Sequence, residues 1–217
     1  IKFQKRTPRL STPRAEWDKV RDTPWGNDLT YIQYREEIEL DITEHARLMK
    51  HAHSLGLGFI DSVWDMQSLA DVIGIGVDAI KIPSAMLTNL GLIESSITAM
   101  RPVILSTGMS TAEEISTTVY AAVDKAESKS LAVLHCTSTY PCDPAELNLL
   151  AIMGLQLKYP NLVIGYSNHS PGIIAAVSAV TLGAKIVEAH ITLDRTAWGT
   201  DQAASIEPGG FKRMVDY

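Results

Sequence analysis

The chain has 217 residues, with 19 Lys and Arg against 25 Asp and Glu, a formal net charge of −6. Hydrophobic residues make up 46% and charged residues 20%, a globular composition that excludes intrinsic disorder. The acidic balance argues against a nucleic-acid binder that relies on bulk positive charge, and no apolar run reaches the ~20 residues of a membrane helix.

Compartment and domain number are predicted from the cysteines, the N-terminal residues and the length. Cys136 and Cys142 are too few for a disulfide framework, so we expect reduced thiols, although one bridge would also fit. The opening residues 1–10 lack the pattern of a signal peptide. We therefore expect a cytoplasmic protein with residues 1–217 forming one α/β domain.

Short runs rich in β-branched residues recur along the chain and predict seven strands. They are Ile1–Gln4, Leu57–Val63, Ala79–Pro83, Val103–Ser106, Leu131–Thr137, Leu162–Tyr166 and Lys185–Ile191. Segments with helical periodicity lie between them. The capping-box pattern from Ser110 to Glu113 predicts a helix over about Thr111–Ala126, and Gly183 is the expected end of a helix over residues 172–182.

The alternation of strands and helices predicts an α/β fold. Most of the strands are continuous apolar runs, which is typical of parallel strands buried on both faces. An open doubly wound sheet and a (β/α)8 barrel both fit this pattern. No Gly-x-Gly-x-x-Gly follows the first strand, which argues against a dinucleotide-binding sheet.

Residues 7–40 interrupt the repeat with prolines, many charges, Trp17 and Trp25. A structureless stretch of this length inside a compact domain is usually functional, and a solvated surface insertion is the alternative. The Trp and Gly content of residues 23–26 favours an ordering role. We interpret the segment as a long functional loop insertion.

The predicted strands end in polar residues, where parallel α/β folds place their chemistry. Lys2 and Gln4 lie on the first strand, and the later strand ends contribute Asp61, Ser62, Lys81, Ser84, Ser106, Thr107, Ser138, Tyr140, Ser167, Asn168, His169, Glu188 and His190. Two lysines with several hydroxyl groups predict a site for an anion that carries phosphate, carboxylate or both.

Two histidines follow successive strands. His169 and His190, with Glu188 nearby, fit a single divalent metal, but they also fit two hydrogen-bonded core histidines, and the residues alone leave both interpretations open. His135 lies earlier on its strand and is expected to be structural. Cys136 is expected to be inert, since no base is placed beside it.

Eight short segments carry the most distinctive patterns of the chain. They are residues 2–4 (KFQ), 23–26 (TPWG), 79–84 (AIKIPS), 102–110 (PVILSTGMS), 134–141 (LHCTSTYP), 164–169 (IGYSNH), 187–194 (VEAHITLD) and 198–208 (WGTDQAASIEP). In this order, and over essentially the whole chain, they resemble the sialic acid synthase family. These enzymes condense phosphoenolpyruvate with a sugar to make N-acetylneuraminate and related nonulosonates.

The resemblance implies a (β/α)8 TIM barrel. By this comparison the chain begins at the second strand of the family and lacks the first strand and the C-terminal antifreeze-like domain. In the family those segments supply a Glu and an Arg that act on the sugar, so we expect the 217-residue chain alone to be inactive or nearly so. Full-length members are usually homodimers.

The resemblance also implies roles for individual residues. Lys2 and Lys81 resemble the lysines that hold phosphoenolpyruvate, and its hydroxyl or amide ligands match Ser62, Ser84, Ser106, Ser138 and Ser167. His169 and His190 resemble the protein ligands of a divalent metal, Mn²⁺ or Mg²⁺. The positions that face the sugar or the metal-bound water match Tyr140, Glu188 and Asp201.

The implied reaction joins phosphoenolpyruvate to an N-acylated hexosamine, such as N-acetylmannosamine or its 6-phosphate, and releases phosphate. Synthesis of another nonulosonate, of the legionaminate or pseudaminate type, is the first alternative. A non-catalytic barrel that has kept the site is the second. An aldolase with a Schiff base on Lys81 is a third, against which the two histidines and the motif set argue.

Overall fold

The structure, a computed structural model, describes residues 1–24, 26, 29–125 and 130–217. The chain divides into two compact units, Ile1–Val103 and Ile104–Tyr217. The assignment of residues 1–217 to one synthase domain stays a prediction.

The first unit alternates strands and helices. Its elements are β1 (Lys2–Lys5), α1 (Pro8–Ser11), α2 (Tyr31–Glu37), α3 (Ile42–Ser54), β2 (Ile60–Val63), α4 (Met66–Ile75), β3 (Ala79–Ile82) and α5 (Leu90–Thr98). The strands are adjacent in chain order, and both pairs, β1–β2 and β2–β3, are parallel. Asp41, Asp65 and Asn89 cap α3, α4 and α5 by accepting a hydrogen bond from a first-turn N–H, which fixes where each helix begins.

The second unit continues the same alternation. Its elements are β4 (Val103–Ser106), which begins one residue before the unit boundary, α6 (Ala112–Lys125), β5 (Leu131–Cys136), α7 (Ala151–Lys158), β6 (Val163–Asn168), α8 (Ile174–Thr181), β7 (Val187–Ala189) and α9 (Pro208–Asp216). The strands are again adjacent in chain order, with β5–β6 and β6–β7 parallel.

The seven predicted strands are confirmed in the described part of the chain, with ends that differ by up to three residues. The predicted parallel pairing is also confirmed. Every residue of β3 and β4 is buried, which explains why these strands are apolar except at Lys81 and Ser106. In β6, a side chain at Gly165 would overlap the Ile186 carbonyl, so this strand approaches its neighbour closely.

The end of α8 and the start of α6 can be compared with the capping residues predicted for them. Gly183 follows α8 with φ +96°, as expected of a residue that ends a helix. The capping box of α6 was predicted one residue too early: Thr111, not Ser110, exchanges hydrogen bonds with Glu114. The last residue predicted for this helix, Ala126, lies outside the described residues.

Residues 7–40 are not structureless, because they contain α1, α2 and two isolated β-bridges, one between Val20 and Thr30. Two carboxylates bind the backbone where the segment joins β1. Glu39 Oε1 lies 2.8 Å from Lys5 Nζ and accepts from the backbone N–H of Arg6. Asp65 accepts from the backbone N–H of Thr7. Trp25, whose ordering role was predicted, lies outside the described residues.

None of the helices in the described ranges combines the length and the apolar character needed to cross a bilayer. The cytoplasmic location and the homodimer stay predictions.

Candidate active site

One face of the sheet in the first unit carries the predicted anion-binding residues. The parallel register sets Gln4, Ser62 and Lys81 side by side on β1, β2 and β3. Lys2 lies two residues before Gln4 and therefore shares its face. Ser62 and Lys81 are almost fully buried. Ser84 opens the short turn that follows β3 and is half-buried.

The opposite face of the same strands packs against α3. Asp61 on β2 lies 2.7 Å from His45 Nδ1, and both side chains are completely buried. The rings of Phe3 and Phe59 stack beside this pair. Because Asp61 faces α3, its neighbour Ser62 faces away from that helix, together with Lys81. The sequence contains both members of this pair, but it gives no sign that they meet.

In the second unit, Ser106 is the last residue of β4. The residue is 1% exposed, and within the described part of the chain its hydroxyl has no hydrogen-bond partner. A buried hydroxyl that is left unpaired costs stability, so this group is suited to contact a ligand. Ser138 lies in the loop after β5 and is half-buried.

Three rings gather beyond the ends of β5, β6 and β7. The centroids of His169 and His190 are 5.4 Å apart, and the Tyr140 ring lies 4.1 Å from His169 and 5.8 Å from His190. The two histidines come from successive parallel strands, so the topology brings them to the same sheet edge. The structure thus brings together three of the residues that sequence analysis selected.

The tautomer of a neutral His169 ring follows from its contacts. Its Nδ1 is 2.6 Å from the carbonyl oxygen of Thr137, so Nδ1 carries the proton and donates it. In the neutral imidazole this leaves the lone pair on Nε2, which accepts from the Tyr140 hydroxyl 2.8 Å away. A backbone carbonyl that fixes the tautomer in this way is the usual support of a metal-binding imidazole.

Carboxylates lie beside both histidines. Asp201 Oδ2 is 3.4 Å from His190 Nδ1, and the hydrogen bond from His190 is the main cause that lowers the pKa of Asp201. Glu188 accepts a hydrogen bond of 3.0 Å from Ser167, whose hydroxyl is 3.5 Å from His169 Nε2. Burial, reinforced by the negative charge of Asp201, raises the pKa of Tyr140 well above its usual value.

His135 and Cys136 have the structural contacts that were expected of them. His135 Nε2 is 2.8 Å from the Leu147 carbonyl, and burial lowers its pKa. Cys136 is buried, and its sulfur accepts from the backbone N–H of Gly108. The two cysteines are buried thiols, not a disulfide.

Asn168 was noted in the sequence only as a polar strand end, yet it organises the turn that carries His169. Its carbonyl oxygen accepts from the Tyr166 hydroxyl and from the N–H and hydroxyl of Ser170, and its amide donates to the Ser170 carbonyl. A buried amide with these partners holds the residue between them in place.

The side chains around His169 and His190 resemble the ligands that a divalent metal ion uses. Within the described ranges, no three or more His, Cys, Asp and Glu side chains are gathered as a ready metal site. His169 and His190 offer two imidazoles, with carboxylates nearby. Two protein ligands are enough for an ion such as Mn²⁺ or Mg²⁺ that keeps several water ligands, so the residues fit this kind of ion.

The whole chain is similar to known proteins. A model of the NeuB family matches residues 1–217. N-acetylneuraminate-9-phosphate synthase of Drosophila melanogaster is 34% identical over 217 residues, which are 99% of this chain and 58% of that protein. N,N'-diacetyllegionaminic acid synthase of Campylobacter jejuni is 34% identical over 190 residues, 87% of this chain and 57% of that protein.

A solved crystal structure shows the same similarity. The N-acetylneuraminic acid synthetase of Leptospira borgpetersenii superposes with a TM-score of 0.86 at 32% identity, over 100% of this chain and 70% of that one. The likeness confirms the predicted barrel fold type. This chain spans somewhat more than half the length of the two relatives named above.

Proposed function

Since the chain belongs to the NeuB family, we propose that its protein is a transferase that condenses phosphoenolpyruvate with an N-acylated hexosamine to a nonulosonic acid and releases phosphate. The observation that carries the proposal is the pair of imidazoles 5.4 Å apart after β6 and β7, with His169 Nε2 kept as a lone-pair donor by the Thr137 carbonyl. Such a pair could hold a divalent cation that would activate the aldehyde of the sugar.

The lysines and serines are proposed to bind phosphoenolpyruvate. Lys2 and Lys81 would balance the charges of its phosphate and carboxylate. Directional hydrogen bonds would come from Ser62, Ser84, Ser106, Ser138 and Ser167. The unpaired hydroxyl of Ser106 supports this role.

His169 and His190 are proposed to hold a divalent cation. Imidazoles favour a transition-metal ion and carboxylates a harder one, so Mn²⁺ suits this mixed surrounding better than Mg²⁺. When bound, the cation would supply Lewis acidity toward the aldehyde oxygen of the sugar. Tyr140, Glu188 and Asp201 are proposed to orient the hydroxyl groups of the sugar.

The bonds of the reaction balance without an oxidant or reductant. C3 of phosphoenolpyruvate forms a bond to the aldehyde carbon, whose oxygen takes up a proton. The oxygen of a water molecule adds to C2, and the bond between C2 and the bridging oxygen breaks. Phosphate leaves with that bridging oxygen. The protein contributes by holding both substrates in reacting position.

Turnover with isotope-labelled phosphoenolpyruvate tests the proposal on the full-length protein. Phosphate release is measured in the presence of Mn²⁺ with each of three sugars: N-acetylmannosamine, its 6-phosphate and a 2,4-diacetamido hexose. The phosphoenolpyruvate carries ¹⁸O at the oxygen that bridges C2 and phosphorus. We expect release with at least one sugar and the label in the phosphate. Label retained in the organic product, or no release with any aldose, would reject the proposed reaction.

Lys81→Met gives a residue-level test, with Lys50→Met as control, because Lys50 is an exposed lysine on a helix of the same unit. Removing one charged contact to an anion costs about 1.5–3 kcal/mol, which corresponds to roughly a 10- to 100-fold rise in KM for phosphoenolpyruvate. The control should leave that KM unchanged. Thermal melts of both variants show whether each is folded.

A further inference from the structure

A cleft of about 210 Å³ in the second unit lies beside the loops that follow β6 and β7. Arg195 and Arg213 are two of its lining residues, together with Ser205, Glu207, Gly172 and Gly210. Two guanidinium groups and one carboxylate leave a net positive charge in this cleft, although the whole chain carries −6. The cleft therefore favours an anionic ligand.

The charged groups of the cleft are held in different ways. Arg195 donates from Nη2 to the Ala203 carbonyl at 2.6 Å, and its backbone N–H donates to Glu207 Oε1 at 3.4 Å. These contacts fix one guanidinium beside the cleft, with other N–H groups left for a ligand. Arg213 projects from α9 and is exposed. Planar guanidinium donors match the oxygens of a phosphoryl group.

Backbone dipoles add to this charge. Both α8 and α9 begin at the cleft, and neither Ile173 nor Glu207, their N-cap residues, provides a side-chain cap. The first-turn N–H groups and the positive end of each helix dipole are thus directed to the same place. Gly172, which lines the cleft, has open space where a side chain would be, so a ligand can approach the backbone there.

The cleft is joined to the imidazole pair by one loop. The backbone N–H of Ile206, which lines the cleft, donates to the His190 carbonyl at 2.8 Å. The segment between these two residues also carries Asp201, which contacts His190. In (β/α)8 enzymes a phosphate is frequently held by the loops after the last two strands and the start of a nearby helix.

We propose that this cleft binds the phosphoryl group of the sugar, so that the substrate is a phosphorylated N-acyl hexosamine and the product a phosphorylated nonulosonic acid. The inference rests on the proposed function for the identity of the sugar. The phosphate of phosphoenolpyruvate is assigned to the lysines and serines described above, so the two phosphoryl groups have separate sites.

Arg213→Ala tests the proposal, with Lys212→Ala as the matched control. Lys212 is the adjacent residue on α9 and carries the same charge, but it pairs with Asp216 at 2.7 Å and does not line the cleft. The ratio of kcat/KM for N-acetylmannosamine 6-phosphate to that for N-acetylmannosamine is measured for each protein. The wild type should prefer the phosphorylated sugar, and Arg213→Ala should lower the ratio at least tenfold.

Lys212→Ala should keep the wild-type ratio, and neither variant should change the KM for phosphoenolpyruvate. A wild type that prefers the unphosphorylated sugar would overturn the proposal. So would a ratio that Arg213→Ala leaves unchanged, or that both variants lower equally, because net charge alone would then explain the effect.

Calorimetry separates this proposal from the reaction itself. N-acetylmannosamine 6-phosphate and inorganic phosphate are titrated into each protein without phosphoenolpyruvate. Binding of the sugar phosphate that Arg213→Ala weakens tenfold and Lys212→Ala does not would support the cleft even if no sugar were turned over. Inorganic phosphate that binds as tightly as the sugar phosphate would overturn the assignment of a sugar site.

Discussion

Two histidine–aspartate pairs of the first unit differ mainly in burial and therefore give a direct test of how the unit is stabilised. His45 and Asp61 lie 2.7 Å apart with no exposed surface on either side chain. His53 and Asp78 lie 2.8 Å apart with 44% and 47% of their side chains exposed. The perturbation we consider is the removal of each histidine by substitution with Ala.

The expected magnitudes differ severalfold. His45→Ala leaves the Asp61 carboxylate buried without its partner, and breaking a buried pair in this way costs about 3–5 kcal/mol. At roughly 2–4 °C per kcal/mol for a chain of this size, the Tm should fall by about 6–20 °C. His53→Ala breaks a pair in water and should cost about 0–1 kcal/mol.

Urea unfolding followed by tryptophan fluorescence measures both free energies of unfolding. The double variant His45→Ala, Asp61→Ala should lose less than the sum of the two single variants, because it leaves no buried group without its partner. The reasoning would be refuted if His45→Ala and His53→Ala destabilised the protein equally, or if the losses at His45 and Asp61 were simply additive.

Three further predictions concern stability. The N–H of Phe59 and then His53 lower the pKa of Asp78 from its usual 3.8. Its stabilising contribution is therefore complete above that value and is lost as the pH falls through the lowered pKa. In thermal melts recorded at a series of pH values, Asp78→Asn should therefore show a smaller fall in Tm at acidic pH than the wild type. Glu114→Ala removes the reciprocal bonds with Thr111 and should lower the Tm by a few degrees, whereas the adjacent exposed Glu113→Ala should not. Gly165→Ala places a methyl group against the Ile186 carbonyl and should cost about 1–3 kcal/mol in urea unfolding. Gly154→Ala, in open space on α7, should stabilise by about 0.5–1 kcal/mol, and equal effects at the two glycines would contradict the packing described.

The strands were predictable because burial on both faces leaves a mostly apolar run, as in β3 and β4. The capping box was harder to place. Ser110 with Glu113 and Thr111 with Glu114 both satisfy the same spacing, and only side-chain geometry selects the second pair. The order within residues 7–40 depends on Glu39 and Asp65, which reach backbone N–H groups distant in sequence, so no local pattern reveals it.

The residue types of the candidate site were predictable from the polar ends of parallel strands. Their pairing was not. The partner that fixes the tautomer of His169 is the backbone carbonyl of Thr137, and a carbonyl has no sequence signature. The contact of His45 with Asp61 depends on how α3 docks on the sheet. The arginines of the cleft, Arg195 and Arg213, are 18 residues apart in sequence, and both line it because the loop after β7 leads into α9.

Phosphate release with Mn²⁺, measured for His169→Ala, His190→Ala and the control His53→Ala, tests the central claim most directly. His53 is an exposed histidine of the first unit. The account predicts that full-length wild type and His53→Ala release phosphate from phosphoenolpyruvate and an N-acyl hexosamine in a metal-dependent manner, and that both site variants lose at least 100-fold. Full metal-dependent activity in either site variant would contradict the assignment of the two imidazoles.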